Sequence, residues 1–457
     1  MMKREINEEC GVIAVYNVKD AATLAYYGLH SLQHRGQEGA GIVTHQGAEF
    51  HRIKGNGLVS EVFNNENILS LFGDCALGHV RYSSATGRGI ENVQPFYFKH
   101  STGDFALAHN GNIVNAKAIR TYLEQSGTIF QSTSTGEILA HLLKRERHKN
   151  QHNAIMQALN ILEGAFAFVI MTKEGMYAAR DRQGLRPLCL GKLRDGYIFA
   201  SESCALDIIG AEFIRDIQPG ELVAIENSKV TSHFFAPNGI NRICSMEYIY
   251  FARPDSNIDN INVHAARKRT GIILAEEHPA DADIVIGIPD SSISAAVGYS
   301  EKTKIPYEMG LVKNKYIGRT FIQPSQELRE KGVRMKLSAV SALVKNKNVV
   351  LIDDSIVRGT TIRQIVNLIK NAGANKVHIR IASPPMKYLC FYGVDTQTYD
   401  DLVSSRKTNE ELRKMINADS LEFISEQGLR KAIGHETCCM ACFNKDYPTP
   451  VYQDNKE

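Results

Sequence analysis

The sequence predicts an α/β protein of two domains, and three observations lead to that expectation. The chain has 457 residues, which is too long for one compact core. In the C-terminal half, four apolar residues at 349–352 run into acidic and small residues and then into a helical pattern. That order is typical of a buried strand, a turn and a helix in a parallel sheet. In the N-terminal half, residues 164–201 are rich in strand formers, with turn glycines at Gly175 and Gly196.

The composition is that of a globular protein and argues against several classes of partner. Hydrophobic residues make up 43% of the chain and charged residues 23%. The formal net charge is only +3 and no long basic run is present, so a nucleic-acid surface is not expected. No apolar stretch approaches the roughly 20 residues of a membrane span, and the polar N-terminus does not look like a secretory signal. We therefore expect a cytoplasmic protein whose nine cysteines are thiols or metal ligands.

Residues 349–361, VVLIDDSIVRGTT, predict a phosphate-binding site. Asp353 and Asp354 follow the strand and can hold ribose hydroxyls and Mg²⁺. Gly359 lets the backbone approach a ligand, while Thr360 and Thr361 offer hydroxyls and amides where a helix begins. The alternative is an ordinary strand-to-helix turn with solvated acids, and the full run of thirteen residues argues against it.

This run resembles the phosphoribosyl pyrophosphate (PRPP) signature of the type I phosphoribosyltransferases, whose fold is a parallel sheet flanked by helices. The resemblance implies PRPP as ligand, further contacts from Ser355 and Arg358, and one Mg²⁺ per subunit. A second buried run, residues 283–288, ends in Pro-Asp-Ser-Ser; alone it would be an ordinary turn. Here it is the expected pyrophosphate loop, with Ser291 close to Mg²⁺. The basic stretch from residue 313 resembles the family's flexible loop, with Arg319 and Lys336 as phosphate contacts.

Three short segments accompany Cys10 and Gly11 in the N-terminal half. They are QHRGQE at residues 33–38, GHVRYS at 78–83 and AHNGN at 108–112. A cysteine before a buried strand is usually a small hydrophobe. Together, however, these segments resemble the glutaminase domain of the N-terminal-nucleophile amidotransferases, from residue 10 to about residue 235. That fold packs two β-sheets between helix layers, an αββα sandwich.

The resemblance implies a role for each residue of the glutaminase site. The thiolate of Cys10 would attack the glutamine side-chain amide. Its base would be its own α-amino group, which requires removal of residues 1–9 as a leader peptide and has a suitable pKa of about 7.7–8. The Asn110 side chain and the Gly111 amide would stabilise the oxyanion. Arg81 would bind the substrate α-carboxylate.

One position departs from the family pattern. The family usually has Ser-Asp-Thr-Glu where residues 134–137 here read Ser-Thr-Gly-Glu, and the family aspartate holds the substrate α-ammonium. Thr135 carries no charge. Either a neighbour such as Glu137 supplies the anion or glutamine binds weakly. Arg35 and His79 are expected to support the pocket structurally.

A turn at residues 237–239, Pro-Asn-Gly, marks the predicted domain boundary. The expected division is a leader at residues 1–9, a glutaminase domain at 10–238 and a phosphoribosyltransferase domain at 239–457. The segment EYIYFARPDS at residues 247–256 resembles a signature of one family, the glutamine PRPP amidotransferases.

The C-terminal half contains four cysteines that could hold a metal centre: Cys244, Cys390, Cys439 and Cys442. Four thiolates suit a [4Fe–4S] cluster, and zinc would accept the same four. Spacing alone does not decide between them. The resemblance does, because one branch of the family has both a leader and a cluster at these positions. We therefore expect a [4Fe–4S] cluster, with Cys439 rather than Cys438 as ligand.

Together the resemblances imply transfer of ammonia from glutamine to C1 of PRPP, giving 5-phosphoribosylamine, glutamate and pyrophosphate. This is the first committed step of de novo purine synthesis. They also imply purine nucleotide inhibitors and a homotetramer. Three alternatives remain: a hexosamine- or asparagine-type amidotransferase, a PRPP- or nucleotide-sensing regulator, and an ammonia-dependent variant with a weak glutaminase site.

Overall fold

A computed structural model of the chain describes residues 10–47, 49–82, 89–144, 151–237, 239–314, 337–394, 396 and 398–452. The predicted leader at residues 1–9, residue 238 at the predicted boundary, Arg319 and Lys336 lie outside these ranges. The predicted α/β class, with a sandwich followed by a parallel sheet, is confirmed. No helix in the described ranges is long and apolar enough to cross a membrane.

The N-terminal half contains two antiparallel sheets. The first has the strand order β11-β9-β10-β1-β4-β2-β3. Its strands are β1 (Gly11–Tyr16), β2 (Gly39–Gln46), β3 (Glu49–Asn56), β4 (Cys75–Arg81), β9 (Cys189–Leu193), β10 (Gly196–Ala200) and β11 (Glu212–Asp216). The second has the order β13-β12-β8-β7-β6-β5. Its strands are β5 (Phe96–Phe98), β6 (Phe105–Ile113), β7 (Gly164–Thr172), β8 (Gly175–Arg180), β12 (Glu221–Glu226) and β13 (Lys229–Phe234).

Helices cover the outer faces of both sheets, which completes the αββα sandwich. Against the first sheet lie helices Ala21–Ser31, Val59–Val62, Asn65–Leu69 and Cys204–Ile209. Against the second lie helices Ala116–Gln125, Glu137–Leu143 and Gln151–Ile161. Small and branched side chains such as Ala14, Leu77, Ala106 and Val169 fill the space between the sheets. Burying apolar surface on both faces of each sheet stabilises this arrangement.

The C-terminal half is built on a four-stranded parallel sheet in the order β16-β19-β20-β21. Its strands are β16 (Ile284–Gly287), β19 (Asn348–Asp353), β20 (Lys376–Ile381) and β21 (Ser420–Phe423). Along β19, Val350 and Ile352 pack on one face, and Val349 and Leu351 on the other. The first face is covered by helices Val263–Glu277, Ile293–Thr303 and Glu426–Ile433, and the second by helices Thr360–Asn371 and Asn409–Ile416. The apolar run is therefore buried on both faces, as a parallel sheet requires.

The remaining elements are short. They are hairpin strands β14 (Asn257–Ile258) and β15 (Ile261–Asn262), strands β17 (Leu311–Lys313) and β18 (Leu337–Ala339), helices Ser341–Val344 and Ala441–Asn444, a π-helical turn at Glu247–Phe251, and 3₁₀ turns at Ile90–Asn92, Tyr399–Asp401 and Val403–Ser405. The π-helical turn lies at the junction of the halves, where Glu247 is buried between Arg35 Nη2 at 2.6 Å and Arg186 Nη1 at 3.4 Å. Arg35 is thus part of a buried ion-pair network, which agrees with a structural role.

Candidate active sites

Cys10 and Arg81 lie side by side at one end of the first sheet. Cys10 immediately precedes the central strand β1, and its Sγ is 3.7 Å from the carbonyl oxygen of Tyr82. Arg81 ends the neighbouring strand β4 and is buried. Burial lowers the pKa of the Arg81 guanidinium, while the nearby Cys10 thiol is the largest opposing influence on it. The structure thus brings together the predicted nucleophile and the predicted carboxylate-binding arginine.

Gly36, in the QHRGQE segment, forms the wall behind Arg81. A Cβ on Gly36 would lie 2.5 Å from the carbonyl carbon of Arg81. Such a distance is too short for non-bonded carbon atoms, so only glycine fits without a backbone shift. The segment therefore fixes the backbone that carries Arg81.

The second sheet contributes Asn110 and Gly111 on strand β6. The two sheets are linked at this point, because His79 Nε2 on β4 is 3.2 Å from the carbonyl oxygen of His109. His79 is opposite Val12 of β1 in the sheet register, so the contact sets β6 against the strand that follows Cys10. Burial lowers the pKa of both imidazoles, that of His109 to about 4. Neutral, buried histidines support the structural role predicted for His79.

The side chain of Asn110 is buried, and within the described ranges neither its Oδ1 nor its Nδ2 has a hydrogen-bond partner. An unpaired buried amide costs about 1–3 kcal/mol, so it is normally satisfied. Gly111 has φ +118°, and a Cβ there would lie 2.2 Å from the carbonyl oxygen of Ala165. The unpaired Asn110 amide beside the glycine-only backbone position 111 is consistent with a hydrogen-bond donor for a bound ligand.

Glu137 is the candidate named above for replacing the charge of the family aspartate. In the structure, its carboxylate already has hydrogen-bond partners in its own loop. Its carboxylate is buried and accepts hydrogen bonds from the backbone N–H of Gln131 at 2.8 Å and of Ser132 at 2.7 Å. Burial would raise the pKa of this carboxyl, but hydrogen bonds from His141 and from the loop residues hold it below its ordinary value. The carboxylate therefore stabilises its own loop, which favours weak glutamine binding over substitution by Glu137.

At the other site, the two predicted loops meet where β16 and β19 end. The Ser291 hydroxyl donates to Asp354 Oδ2, and the Ser355 hydroxyl donates to Asp354 Oδ1 at 2.7 Å. Ser292 Oγ is 3.2 Å from Asp353 Oδ1. Burial raises the pKa of the Asp354 carboxyl, and hydrogen bonds from the serines oppose that shift. The predicted pyrophosphate loop and the acidic pair thus meet at the carboxyl ends of the neighbouring parallel strands β16 and β19.

The turn after the acidic pair has the predicted geometry. Gly359 has φ +75° and precedes the helix Thr360–Asn371, so that Thr360 and Thr361 occupy its first turn. A Cβ on Gly359 would also lie 2.7 Å from Met415 Cε. The backbone N–H groups at a helix start favour a bound anion.

Two residues in this region were missed by the sequence analysis. Asp401 pairs with Arg358, whose Nη2 lies 3.1 Å from Asp401 Oδ1, so this arginine is held by the protein itself. Arg267, on the helix Val263–Glu277, is buried and interacts electrostatically with Asp354; burial lowers its pKa to about 10, and Asp354 opposes that shift. Neither residue has a motif around it, so no signal in the sequence distinguishes it from an ordinary charged surface residue.

The four predicted cluster cysteines come together behind the glutaminase half. The backbones of Cys244 and Cys439 pair in an isolated parallel β-bridge, which is not a disulfide. The pKa of the Cys442 thiol is raised by burial and then by Cys244, Cys390 and Cys439. Cys438, by contrast, is 3.9 Å from Arg430 Nη1. The four thiols are therefore close enough to influence one another electrostatically.

No group of three His, Cys, Asp or Glu side chains in the described ranges is arranged to hold a single metal ion. For the cysteines this does not exclude a cluster, because an iron–sulfur cubane holds four separate thiolates around a larger body. For the acidic pair, Mg²⁺ bound to one or two carboxylates usually takes its other ligands from water and substrate phosphates. Both metal centres therefore stay predictions at this point.

Comparisons with known proteins match both halves of the chain. The family described as "Glutamine amidotransferase domain" matches residues 81–207, and "Phosphoribosyl transferase domain" matches residues 257–383. Amidophosphoribosyltransferase of Bacillus subtilis (strain 168) is 54% identical, covering 98% of this chain and 96% of that protein. The enzyme of Staphylococcus aureus (strain Mu50) is 50% identical, covering 98% and 92%.

Solved structures give the same relationship. The glutamine PRPP amidotransferase from B. subtilis complexed with ADP and GMP has a TM-score of 0.93 and 53% identity, covering 97% of this chain and 98% of that chain. A structure described as the allosteric regulatory enzyme of purine biosynthesis has a TM-score of 0.94 and 54% identity, covering 98% and 97%.

Proposed function

The chain belongs to the amidophosphoribosyltransferase family, and from that membership we propose how its residues carry out the reaction. It is an enzyme of purine biosynthesis that transfers ammonia from glutamine to C1 of PRPP, with 5-phosphoribosylamine, glutamate and pyrophosphate as products. The observation that carries this conclusion is the 54% identity over nearly the whole length of both proteins. The regulator and the other amidotransferases are not favoured by it.

In the glutaminase half, Cys10 is proposed as nucleophile. Its thiolate adds to the glutamine side-chain amide, the C–N bond breaks, ammonia leaves, and water hydrolyses the thioester to glutamate. The developing oxyanion is stabilised by Asn110 and Gly111, and the unpaired, buried amide of Asn110 supports this role. Arg81 beside Cys10 binds the substrate α-carboxylate. The α-amino base requires that residues 1–9 are removed, which is part of the proposal.

In the phosphoribosyl half, ammonia attacks C1 of PRPP and pyrophosphate leaves. Asp353 and Asp354 hold the ribose hydroxyls, and Ser291, which donates to Asp354, lies where the pyrophosphate loop meets them. Seven residues are proposed to bind the phosphates: Ser355, Arg358, Gly359, Thr360, Thr361, Arg319 and Lys336. Most of the work in this half is positioning and neutralisation of charge.

The family uses PRPP, and Mg²⁺ is its usual metal. We propose that Asp353, Asp354 and Ser291 hold one Mg²⁺ per subunit, which would neutralise charge on the leaving pyrophosphate. A [4Fe–4S] cluster on Cys244, Cys390, Cys439 and Cys442 is proposed as a structural group. The mutual influence of these thiols supports it. A zinc ion on the same residues would be distinguished by iron and sulfide analysis of protein purified without oxygen.

The remaining expectations are also proposals. The domain limits are taken as 10–238 and 239–457, the location as cytoplasmic and the assembly as a homotetramer. Purine nucleotides are proposed as inhibitors, since a similar structure contains ADP and GMP.

The test is release of glutamate and pyrophosphate from glutamine, Mg²⁺ and PRPP, on protein purified without oxygen. We expect equal amounts of both products and a strong dependence on PRPP. If no pyrophosphate is released with either glutamine or ammonia as donor, the proposed function is contradicted. An intact mass would report the state of the N-terminus.

A weaker variant of this function has one observation in its favour. Thr135 carries no charge and Glu137 is engaged by its own loop, so no carboxylate from this segment is available for the substrate α-ammonium. In that variant, the phosphoribosyl half works well with free ammonia and glutamine is a poor donor. A KM for glutamine far above that of the Bacillus enzyme, measured side by side, would support it.

A further inference from the structure

The C-terminal cysteine segment packs directly against the strand that carries the proposed oxyanion donors. Asn112, two residues after Asn110, donates from Nδ2 to the carbonyl oxygen of Phe391 at 2.9 Å. Phe391 follows Cys390, so this hydrogen bond joins two parts of the chain that are 279 residues apart. The amide of Asn112 thereby faces the cysteine segment.

Strand β6 needs such support at this end. Strand β5 pairs with it only at Phe105–Leu107, so the part of β6 that carries Asn110 and Gly111 is paired along one edge, by β7. Gly111 has φ +118°, a conformation in which the backbone has few restraints of its own. The hydrogen bond from the Asn112 side chain to Phe391 is therefore an additional restraint on the part of β6 that carries the proposed oxyanion donors.

The cysteine segment is itself held firmly at this contact. Arg186 Nη2 donates to the carbonyl oxygen of Tyr392 at 2.6 Å. Tyr392 is also buried in an apolar cluster with Val114 and Ala165 from the glutaminase half and Ala441 from the last helix. A buried, hydrogen-bonded anchor transmits position because close-packed side chains leave no room for drift.

We propose that Asn112 is a positioning residue for glutamine hydrolysis, which acts by tying the oxyanion strand to the cysteine segment through Phe391. This proposal rests on the proposed roles of Asn110 and Gly111. It assigns the segment that would hold the cluster a function in the glutaminase half. A misplacement of about 1 Å can cost about 100-fold in rate. Among the described residues, Asn112 makes no hydrogen bond to the proposed phosphoribosyl site, so that site should keep its activity.

The test compares N112D and N112S with the wild type. N112D places a carboxylate against the Phe391 carbonyl oxygen, and N112S is too short to reach it. We expect kcat with glutamine to fall about 10- to 100-fold in N112D and less in N112S, while pyrophosphate release with ammonia is unchanged. Y452F is the matched control, because it removes another hydrogen bond between the same two parts of the chain, from Tyr452 to Glu163 Oε2 at 2.5 Å. It should keep both activities.

Three outcomes would overturn the proposal or its premise. Full glutamine activity in both folded Asn112 variants would refute the positioning role. A proportionate loss of glutamine- and ammonia-dependent activity, with a lower unfolding temperature, would refute it in favour of general stability. The C10A variant tests the premise separately from Asn112: if C10A still uses glutamine, the proposed glutaminase site is itself wrong. If N112D does not fold, N112S decides by the same ratio of the two activities.

Discussion

Two buried polar side chains, Asp354 at the phosphoribosyl site and Asn110 at the glutaminase site, are treated differently by their surroundings. The Asp354 carboxylate accepts hydrogen bonds from Ser291 and Ser355. The Asn110 amide has no partner in the described ranges. The phosphoribosyl site thus satisfies its key side chain internally, while the glutaminase site leaves a donor unpaired for its ligand. Changes at the two positions should therefore affect stability and activity in different combinations.

The largest effect is expected for N110A. Removing an oxyanion donor costs about 10²- to 10³-fold in kcat, so glutamine-dependent synthesis should nearly vanish. Ammonia-dependent synthesis should remain, and the unfolding temperature should not fall through a lost hydrogen bond, since the Asn110 side chain makes none with the described residues. N115A is the matched control: it removes the hydrogen bond that Asn115 donates to the carbonyl oxygen of Ile161 and the one it accepts from the backbone N–H of Glu163, and it should keep glutamine use. Equal loss with both donors would contradict the assignment.

D354N should differ from N110A in that it affects ammonia-dependent synthesis as well as glutamine-dependent synthesis. With the carboxylate gone, activity with glutamine and with ammonia should fall together, by about 10²-fold, because ribose and Mg²⁺ lose a charged ligand. Burial raises the pKa of Asp354 above its unfolded value, so its ionised form becomes a cost to folding as the pH rises. At neutral pH, D354N should therefore unfold at the same or a higher temperature. A clear loss of stability together with full ammonia-dependent activity would contradict the proposed difference between Asp354 and Asn110.

T135D is a gain-of-function test of the glutaminase site. A carboxylate at the family position should add a charge-assisted hydrogen bond to the substrate α-ammonium, about 1.5–3 kcal/mol. The KM for glutamine should fall about tenfold or more, with ammonia-dependent kinetics unchanged. T135N, of nearly the same shape but neutral, is the control. Equal changes in both variants would mean that charge is not what this pocket lacks.

E137Q should have the smallest effect on chemistry and a measurable one on stability. The new amide group meets the backbone N–H donors of Gln131 and Ser132, which should cost about 1–3 kcal/mol of unfolding free energy. Because the folded-state pKa of Glu137 is below its ordinary value of 4.5, its contribution to stability is present above that pH and is lost as the pH falls. Urea unfolding at several pH values should show the two proteins converging in acid. A difference that does not depend on pH would contradict this account.

The sequence by itself determined the α/β class, the order of the two halves and the phosphate-binding turn. Residues 349–361 could be read directly because a strand, an acidic pair and a helix start lie within one contiguous run. Local propensity and a helix N-terminus act over a few residues, so spacing along the chain carries that information. The departure from the family pattern at Thr135, within residues 134–137, was visible for the same reason.

Only the tertiary structure decided which distant groups meet. Asp401 takes up Arg358, Glu137 is turned into its own loop, and Asn112 reaches Phe391 across the junction of the two halves. The approach of strand β1, which follows Cys10, to strand β6 likewise depends on how the two sheets face each other. Such contacts join residues far apart in the chain, and they are selected by close packing and by the cost of leaving buried polar groups unpaired. Neither is encoded in the spacing of a motif.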